Sequence, residues 1–499
     1  MKKQSAPILV LGASGYIGSR LVPRLLEAGH AVRALARTPQ KLAGRPWASH
    51  PRLEIVAGDL FDRVSLDRAC KGCRAAYYLV HSMNPDITDF ARADREAAEN
   101  FIAAAATAGL RQIIYLSGLG EEEAGMSHHL HSRHETGEVL RRGTVPVTIL
   151  RAAMIIGSGS ASFEIMRYLV ERLPVMITPR WVQTRCQPIA VRNVLGYLVG
   201  CLDHPQMLGE TFDIGCEEVV DYRQLMRIYA EEAGLPRRWI VPVPVLTPRL
   251  SSYWIHLVTP VPAAIARPLA EGLSCPVLVR DTRIRKLIPQ QLFDCRTAIR
   301  LALERTREQH IESTWYDAGR LPPVEWLNPG DPGWAGGSVF VDAREVTVAA
   351  SPGRVWQTLE GIGGATGWYY ADWLWWLRGL LDRLVGGFGL RRGRRDPLHL
   401  AVGDALDFWR VARVEPNLRL MLVAEMKLPG EAVLVFELDE VDGGTRLQQR
   451  ACFLPRGLFG LLYWWLVSPL HHFVFNGMLR GIADACAGPV LAGPRKVAR

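Results

Sequence analysis

The sequence predicts an α/β protein: a doubly wound parallel sheet at the N-terminus, then a smaller α+β unit built on an antiparallel sheet. Three observations carry this. Residues 7 to about 150 alternate short apolar runs with helical patterns, the signature of a parallel sheet with helices on both faces. A glycine-rich turn directly follows the first run. After residue 338 the pattern changes to strand-like runs joined by turns, with a long apolar segment behind them. That is the order of an antiparallel meander wrapped on a helix.

The elements follow in order. Ile8-Leu9-Val10-Leu11 is uniformly apolar, as a strand buried on both faces must be. Residues 16–27 read as a helix, residues 31–36, 53–56, 75–80, 112–117 and 146–150 as strands, and 89–108 as an Ala-rich helix. From about 155 to 300, Pro242, Pro244, Pro248, Pro260, Pro262 and Pro268 break apolar pieces, which predicts a substrate lobe with interrupted helices inside an N-terminal domain of residues 1–320. Pro322-Pro323 and Asn328-Pro329-Gly330 predict a linker over 321–337. The second domain is residues 338–499. Residues 338–348 alternate as a strand, and Ser351-Pro352 supplies an N-cap and an N1 proline for a short helix to Glu360. From Asp404, four strand-like runs are joined by turns at Glu415-Pro416-Asn417, Leu428-Pro429-Gly430 and Asp442-Gly443-Gly444. Residues 458–485 then read as a helix.

Composition limits function. Hydrophobic residues are 48% and charged residues 22% of the 499, which excludes a disordered, collagen-like or coiled-coil chain. Net charge is 59 − 50 = +9. This mild bias suits an anionic cofactor or a membrane surface, and no basic tail points to nucleic acid. The nine cysteines are odd in number and scattered, which predicts a reduced, cytoplasmic protein without a disulfide scaffold. Met1-Lys2-Lys3 leads into no apolar stretch long enough for a signal peptide. Cys70-x-x-Cys73 has no second ligand pair at zinc spacing, so no metal is expected.

Gly12-Ala13-Ser14-Gly15-Tyr16-Ile17-Gly18 lies between the first strand and the first helix. Gly12 permits the tight turn, Gly15 lets backbone amides approach a pyrophosphate, and Gly18 lets the helix pack closely on the sheet. This is a Rossmann nucleotide loop. The second strand ends in Ala36-Arg37-Thr38 where an acidic residue would select a 2′-hydroxyl. A guanidinium there suits a 2′-phosphate, so NADP(H) is favoured over NAD(H). Asp59-Leu60, after the third strand, is placed to meet the adenine.

The glycine loop, Arg37, Gly58-Asp59-Leu60, Tyr115-Leu116-Ser117-Gly118, residues 150–157, Pro188-Ile189-Ala190-Val191 and Asp213-Ile214-Gly215 together resemble an extended or atypical short-chain dehydrogenase/reductase. The branch includes NmrA-like proteins and the NAD(P)H-binding accessory subunit of respiratory complex I. The resemblance covers about residues 7–300. It implies an oxidoreductase or epimerase-like activity, places Val80 beside the cofactor, and puts Ser117 at the catalytic serine position. Active members carry a Tyr-x-x-x-Lys pair. Here the matching helix reads Leu130-His131-Ser132-Arg133-His134, with Leu130 in the tyrosine's place and His134 in the lysine's. His134 is then a ribose contact, a surrogate acid/base or a polar helix residue. His128, His129, His131 and His134 also invite a metal reading, without a carboxylate or cysteine to complete it.

Residues 338 to about 488 resemble a helix-grip (START-like, polyketide-cyclase-like) domain, more narrowly an uncharacterised domain found behind reductases of this branch. The resemblance implies an apolar cavity for a hydrophobic ligand. Trp368-Tyr369-Tyr370, Trp373, Trp375-Trp376, Phe408-Trp409 and Tyr463-Trp464-Trp465 are either its walls or plain core. Residues 457–479 contain no Asp, Glu, Lys or Arg. Pro469, His471-His472 and Asn476 interrupt the segment, which favours a buried, gripped helix over a membrane span. An interfacial role with Arg391, Arg392, Arg394 and Arg395 would suit anionic lipid. Three functions remain open: an NADP(H)-dependent oxidoreductase on a quinone or lipid-like carbonyl, a non-catalytic NAD(P)H sensor or assembly factor, and a lipid-binding protein with a structural nucleotide domain.

Overall fold

The structure is a computed structural model. It describes residues 6–307 and 340–497, apart from 44, 82–89, 121–127, 244–254, 256–258, 260–262, 274, 388, 391–393, 397 and 456. The predicted linker 321–337, Arg391 and Arg392 therefore lie outside the described residues, as do the side chains of His128 and His129. The chain forms two compact units, residues 1–319 and 320–499.

The first unit is a parallel seven-stranded sheet. Its strands are β1 (Ile8–Leu11), β2 (Val32–Ala36), β3 (Leu53–Ala57), β4 (Ala75–Tyr78), β5 (Gln112–Gly118), β6 (Val147–Ala152) and β7 (Thr211–Ile214), in the order β7-β6-β5-β4-β1-β2-β3. The order reverses between β1 and β4, and ligands bind at such a switch point. Alternation assigns each face. Ile8, Val10, Ala34, Tyr77 and Ile114 pack on one side; Leu9, Leu11, Leu35, Tyr78 and Ile113 pack on the other. Both sides are dry, which explains why β1 is apolar at every position. Helix α1 (Gly18–Glu27) follows β1, α2 (Arg63–Cys70) follows β3, α3 (Phe90–Ala108) leads into β5, and α4 (His128–Arg141) lies between β5 and β6. Within 155–307, helices α5 (Ala161–Arg172), α6 (Val191–Gly200), α7 (Tyr222–Glu232) and α8 (Cys295–Arg307) join short strand pairs. Phe163, Tyr229 and Ile299 are fully buried in the core of this lobe.

The second unit is an antiparallel seven-stranded sheet. After β8 (Phe340–Val348) come α9 (Pro352–Glu360) and α10 (Asp372–Leu384). The meander β9 (Ala405–Leu406), β10 (Trp409–Glu415), β11 (Arg419–Ala424), β12 (Gly430–Val441) and β13 (Gly444–Pro455) is next. Helix α11 (Gly457–Ala485) and β14 (Val490–Lys496) complete it. The expected turns contain Asn417 at φ 62° and Gly443 at φ 80°, the left-handed backbone that such turns need. Two elements depart from the sequence reading. Residues 372–384 form a helix, and β14 adds to the sheet edge beside β8 after the long helix.

Helix α11 has two halves. Phe475, Met478, Leu479, Ile482 and Ala483 recur at helical spacing and are buried against the sheet. Residues 459–473 bury Trp464 but leave Phe459, Leu462, Trp465, Leu466, Leu470 and Phe473 exposed, so the expected burial of the segment is fuller in its second half than in its first. At the junction, buried Arg344 of β8 donates to Asn476 Oδ1 at 2.9 Å and to Asp342 Oδ2 at 3.0 Å. Burial opposes the charge on Asp342, but His471 and Arg344 hold its carboxyl below the ordinary value. The polar residues that interrupt the apolar segment are thus partners of a buried ion pair.

Aromatic residues expected to line a cavity are largely mutual core. Trp368 is 1% exposed, stacks on Trp375 at 4.6 Å and donates its indole N–H to Asp407 at 2.7 Å. Trp464 is sandwiched with Phe340 and Phe453. Truncating a buried indole costs about 3–5 kcal/mol. Trp368→Ala is therefore expected to lower the unfolding midpoint of residues 340–497 in the full chain. Urea denaturation followed by near-ultraviolet circular dichroism checks this, and an unchanged midpoint would contradict a packed core at this position.

Candidate functional site

The carboxyl ends of β1, β4 and β5 lie side by side, and the glycine loop stands on the first of them. Gly12 has φ 79°, and a Cβ there would be 2.8 Å from the Leu79 carbonyl oxygen. A Cβ on Gly18 would be 2.2 Å from the Gly12 carbonyl oxygen. Helix α1 thus begins against the backbone of its own loop. Gly15 differs: a Cβ there meets only the Gly12 carbonyl oxygen, at 3.3 Å. Its space faces outward, where a phosphate would sit. No side chain caps α1, and no acidic residue lies in its first turn, so the positive helix end is open to an anion. A pyrophosphate fits this cradle.

Tyr16 and Ile17 turn from the loop into α1. Arg20 lies over the Tyr16 ring at 4.2 Å and donates to the Ser158 carbonyl at 2.8 Å. A Cβ on Gly157 would be 2.4 Å from the Tyr16 hydroxyl oxygen, so the glycine at 157 makes room for the loop tyrosine. Ala13 is fully buried and Ser14 half-buried. Arg37 is exposed just beyond β2. The Asp59 carboxylate accepts the Phe61 N–H at 3.2 Å in a local turn, and Leu60 is buried in the sheet core. Val80 is half-buried, and its Cγ2 would lie 3.2 Å from a Cβ on Gly12.

Ser117 and His134 come together. Both line a cavity of about 390 Å³ with Arg141, Arg151 and Arg283. The arginines are paired there: Arg151 with Asp213 at 2.6 Å, Arg283 with Glu210 at 3.1 Å, and Arg141 with Glu138 at 3.3 Å. Ser117 is 5% exposed and turned toward the Arg133 carbonyl. Leu130 Cδ2 lies 2.5 Å from where a Cβ on Gly118 would be. A hydrocarbon thus packs against the end of β5 at the position where the resemblance would put a tyrosine. His131 is exposed.

The sequence reading missed a polar cluster beside this end of the sheet. His81, just beyond β4, places Nδ1 3.0 Å from Asp94 Oδ2 on α3, and Ser132 of α4 donates to the same oxygen at 3.0 Å. Burial, then the Arg133 guanidinium, lower the His81 pKa although Asp94 opposes them. The available signal was a histidine directly after a buried strand. A second unexpected group is Cys216, Glu218 and Cys295. The two thiols are 3.8 Å apart, and Glu218 accepts the Cys295 N–H at the start of α8. Burial raises the Cys70 thiol to about 12, which makes it a poor nucleophile.

Comparison with known proteins agrees with this geometry. Residues 12–168 match an NAD(P)H-binding family, and residues 334–478 match a family described as protein of unknown function (DUF2867). The chain is 28% identical over 240 residues to the (4-alkanoyl-5-oxo-2,5-dihydrofuran-3-yl)methyl phosphate reductase of Streptomyces griseus, which covers 46% of this chain and 76% of that protein. It is 27% identical over 236 residues to the ceramide reductase of Caulobacter vibrioides, 47% of this chain and 72% of that protein. The triphenylmethane reductase of Citrobacter, solved with NADP(H), aligns over 59% of this chain and 99% of its own, with 19% identity and a TM-score of 0.48. The N-terminal unit thus contains an NAD(P)-binding domain on a Rossmann-like parallel sheet. Among the described residues, no helix is long and apolar enough to cross a membrane.

Two outcomes test the site. Gly15→Val is expected to keep the fold and lose nucleotide binding, whereas Gly18→Val, aimed at backbone 2.2 Å away, is expected to lose both. Melting curves with and without NADPH separate them; nucleotide protection surviving in Gly15→Val would move the site elsewhere. The second concerns His81. Its folded pKa lies below the ordinary 6.5, so the unfolded chain takes the proton first. Its contribution is complete above about pH 6.5 and is lost as pH falls through the folded value. The melting temperature of wild type is expected to fall more steeply than that of His81→Gln between about pH 7 and pH 5. Equal slopes would show that His81 is not held neutral.

Proposed function

We propose that this protein is an NADP(H)-dependent reductase, of the extended or atypical short-chain dehydrogenase/reductase branch, acting on a hydrophobic carbonyl or quinone. The observation that carries this is the open cradle at Gly15, set at the uncapped N-terminus of α1. A bound nicotinamide cofactor would supply the hydride. The loop amides and the positive end of α1 would hold its pyrophosphate, and Arg37 would pair with the 2′-phosphate. Ser117 and His134, on one cavity, are the candidate polar groups facing substrate. By their names, two relatives reduce an alkanoyl-bearing phosphate and a ceramide. Both molecules carry alkyl chains, which supports an apolar substrate here. The aromatic second unit, read as a START-like helix-grip module, would capture or deliver that substrate.

Leu130 against Gly118 favours a second reading, a non-catalytic NAD(P)H sensor or assembly factor. A leucine neither donates nor accepts the proton that carbonyl reduction requires. NADPH oxidation over a panel of long-chain quinones and aldehydes decides between the two. Turnover supports the reductase; tight NADPH binding without turnover supports the sensor.

Cofactor choice is tested separately. A bidentate charge-assisted contact is worth about 1.5–3 kcal/mol, roughly ten- to a hundredfold in affinity. Calorimetry is expected to give tighter binding of NADPH than NADH, with the difference lost in Arg37→Ala. Equal affinities in wild type would overturn the assignment.

A further inference from the structure

Helices α10 and α11 place two apolar stripes beside each other on the surface of the second unit. On α10, Trp373, Trp376, Leu377, Leu381 and Leu384 recur every three or four residues and are exposed, Trp373 by 64%. On α11, Phe459, Leu462, Leu466, Leu470 and Phe473 do the same, with Leu466 77% and the adjacent Trp465 67% exposed. Cross-contacts fix the arrangement. Tyr370, before α10, lies 5.1 Å from the Phe473 ring, and Arg378, two turns later, lies over Tyr463, more than two turns earlier on α11. The helices therefore run antiparallel, and each turns its stripe to the solvent while its other side is buried.

Folded soluble surfaces rarely carry contiguous apolar patches of this kind without a partner. Charge selects which. The acids of α10 are Asp372, exposed at its first residue and accepting the Trp368 N–H, and Asp382, fully buried, which accepts backbone N–H groups of Gly389 and Lys427. Residues 457–479 contain none. Three cations stand beside the stripes: Arg378 on α10, which reaches the Lys427 carbonyl; Lys427, whose ammonium would lie 3.9 Å from a Cβ on Gly386 after α10; and Arg480, exposed beyond the α11 stripe. Exposed indoles on an apolar face with cations beside it suit the headgroup boundary of an anionic bilayer. A second copy would set like charges against each other. Of the four arginines expected from sequence, Arg394 donates to the Ile362 and Asp396 carbonyls and Arg395 pairs with Asp404, while Arg391 and Arg392 lie outside the described residues.

We infer that the α10–α11 face is a peripheral docking surface for anionic lipid bilayers. Both stripes rest in the interface, and Arg378, Lys427 and Arg480 meet the phosphates. Neither helix spans.

The test uses the full chain with vesicles of phosphatidylcholine alone and of phosphatidylcholine with phosphatidylglycerol. Sedimentation is expected to carry the protein down with the anionic vesicles, and brominated lipid to quench its tryptophan emission. The exposed-site variants Trp373→Ser/Trp376→Ser and Trp465→Ser/Leu466→Ser are each expected to bind about tenfold more weakly with unchanged circular dichroism melts. Lys427→Glu/Arg480→Glu should lose the preference for anionic vesicles. Failure of wild type to sediment overturns the inference, as does equal binding to both vesicle types. A wild-type dimer by light scattering that the Trp465→Ser/Leu466→Ser variant dissociates would show that a second copy covers the face, and also overturns it. If one variant pair fails to melt cooperatively, the other pair and the charge reversal still decide.

Discussion

The nucleotide site depends on a backbone-to-backbone contact. A Cβ at Gly18 would reach to 2.2 Å from the Gly12 carbonyl oxygen, so α1 starts where it does because neither residue has a side chain. This contact aims the uncapped helix end at the switch point between β1 and β4, and it leaves Gly15 facing open space. Tyr16, Arg20 and Gly157 then lock the far side of the loop. Moving α1 outward by the width of a methyl group would misdirect the amides that the cradle offers to phosphate.

Much of this was legible in the chain. The parallel sheet followed from uniformly apolar runs such as Ile8–Leu11, because a strand dry on both faces has no polar position to spare. The glycine loop was legible because three glycines at that spacing answer three steric demands. The antiparallel sheet was legible from its turn residues, with Asn417 and Gly443 at positive φ. What escaped depended on tertiary partners. Helix α10 looked like a run of cavity-lining tryptophans, since its apolar face turns outward and its inward residues include a charged Asp382. Strand β14 lies on an edge and is exposed at nearly every position, so it carries little burial pattern to read.

The candidate chemistry shows the same division. Ser117 and His134 stand on the consecutive elements β5 and α4 and line one cavity. His81, Asp94 and Ser132 come from three separate elements, and no spacing in the sequence connects them. With Leu130 packed against Gly118 the end of β5 meets a hydrocarbon, so any proton moved there must travel by other side chains.

The join between α10 and α11 is unusually stiff. Gly477 and Gly481, one turn apart, form a notch filled by Tyr369 and Tyr370, where a Cβ would fall within 2.4 Å of tyrosine atoms. Tyr369 and Ala371 are left-handed, at φ 63° and 53°, a conformation that costs about 1–2 kcal/mol per residue and persists only when its surroundings enforce it. The start of α10 is consequently fixed against α11. When one helix touches a surface, the other is already at high effective concentration over the same surface, so contact is made by both together or by neither. Individually weak side-chain contacts combined in this way give a steep response to the composition of that surface, without any moving part in the protein.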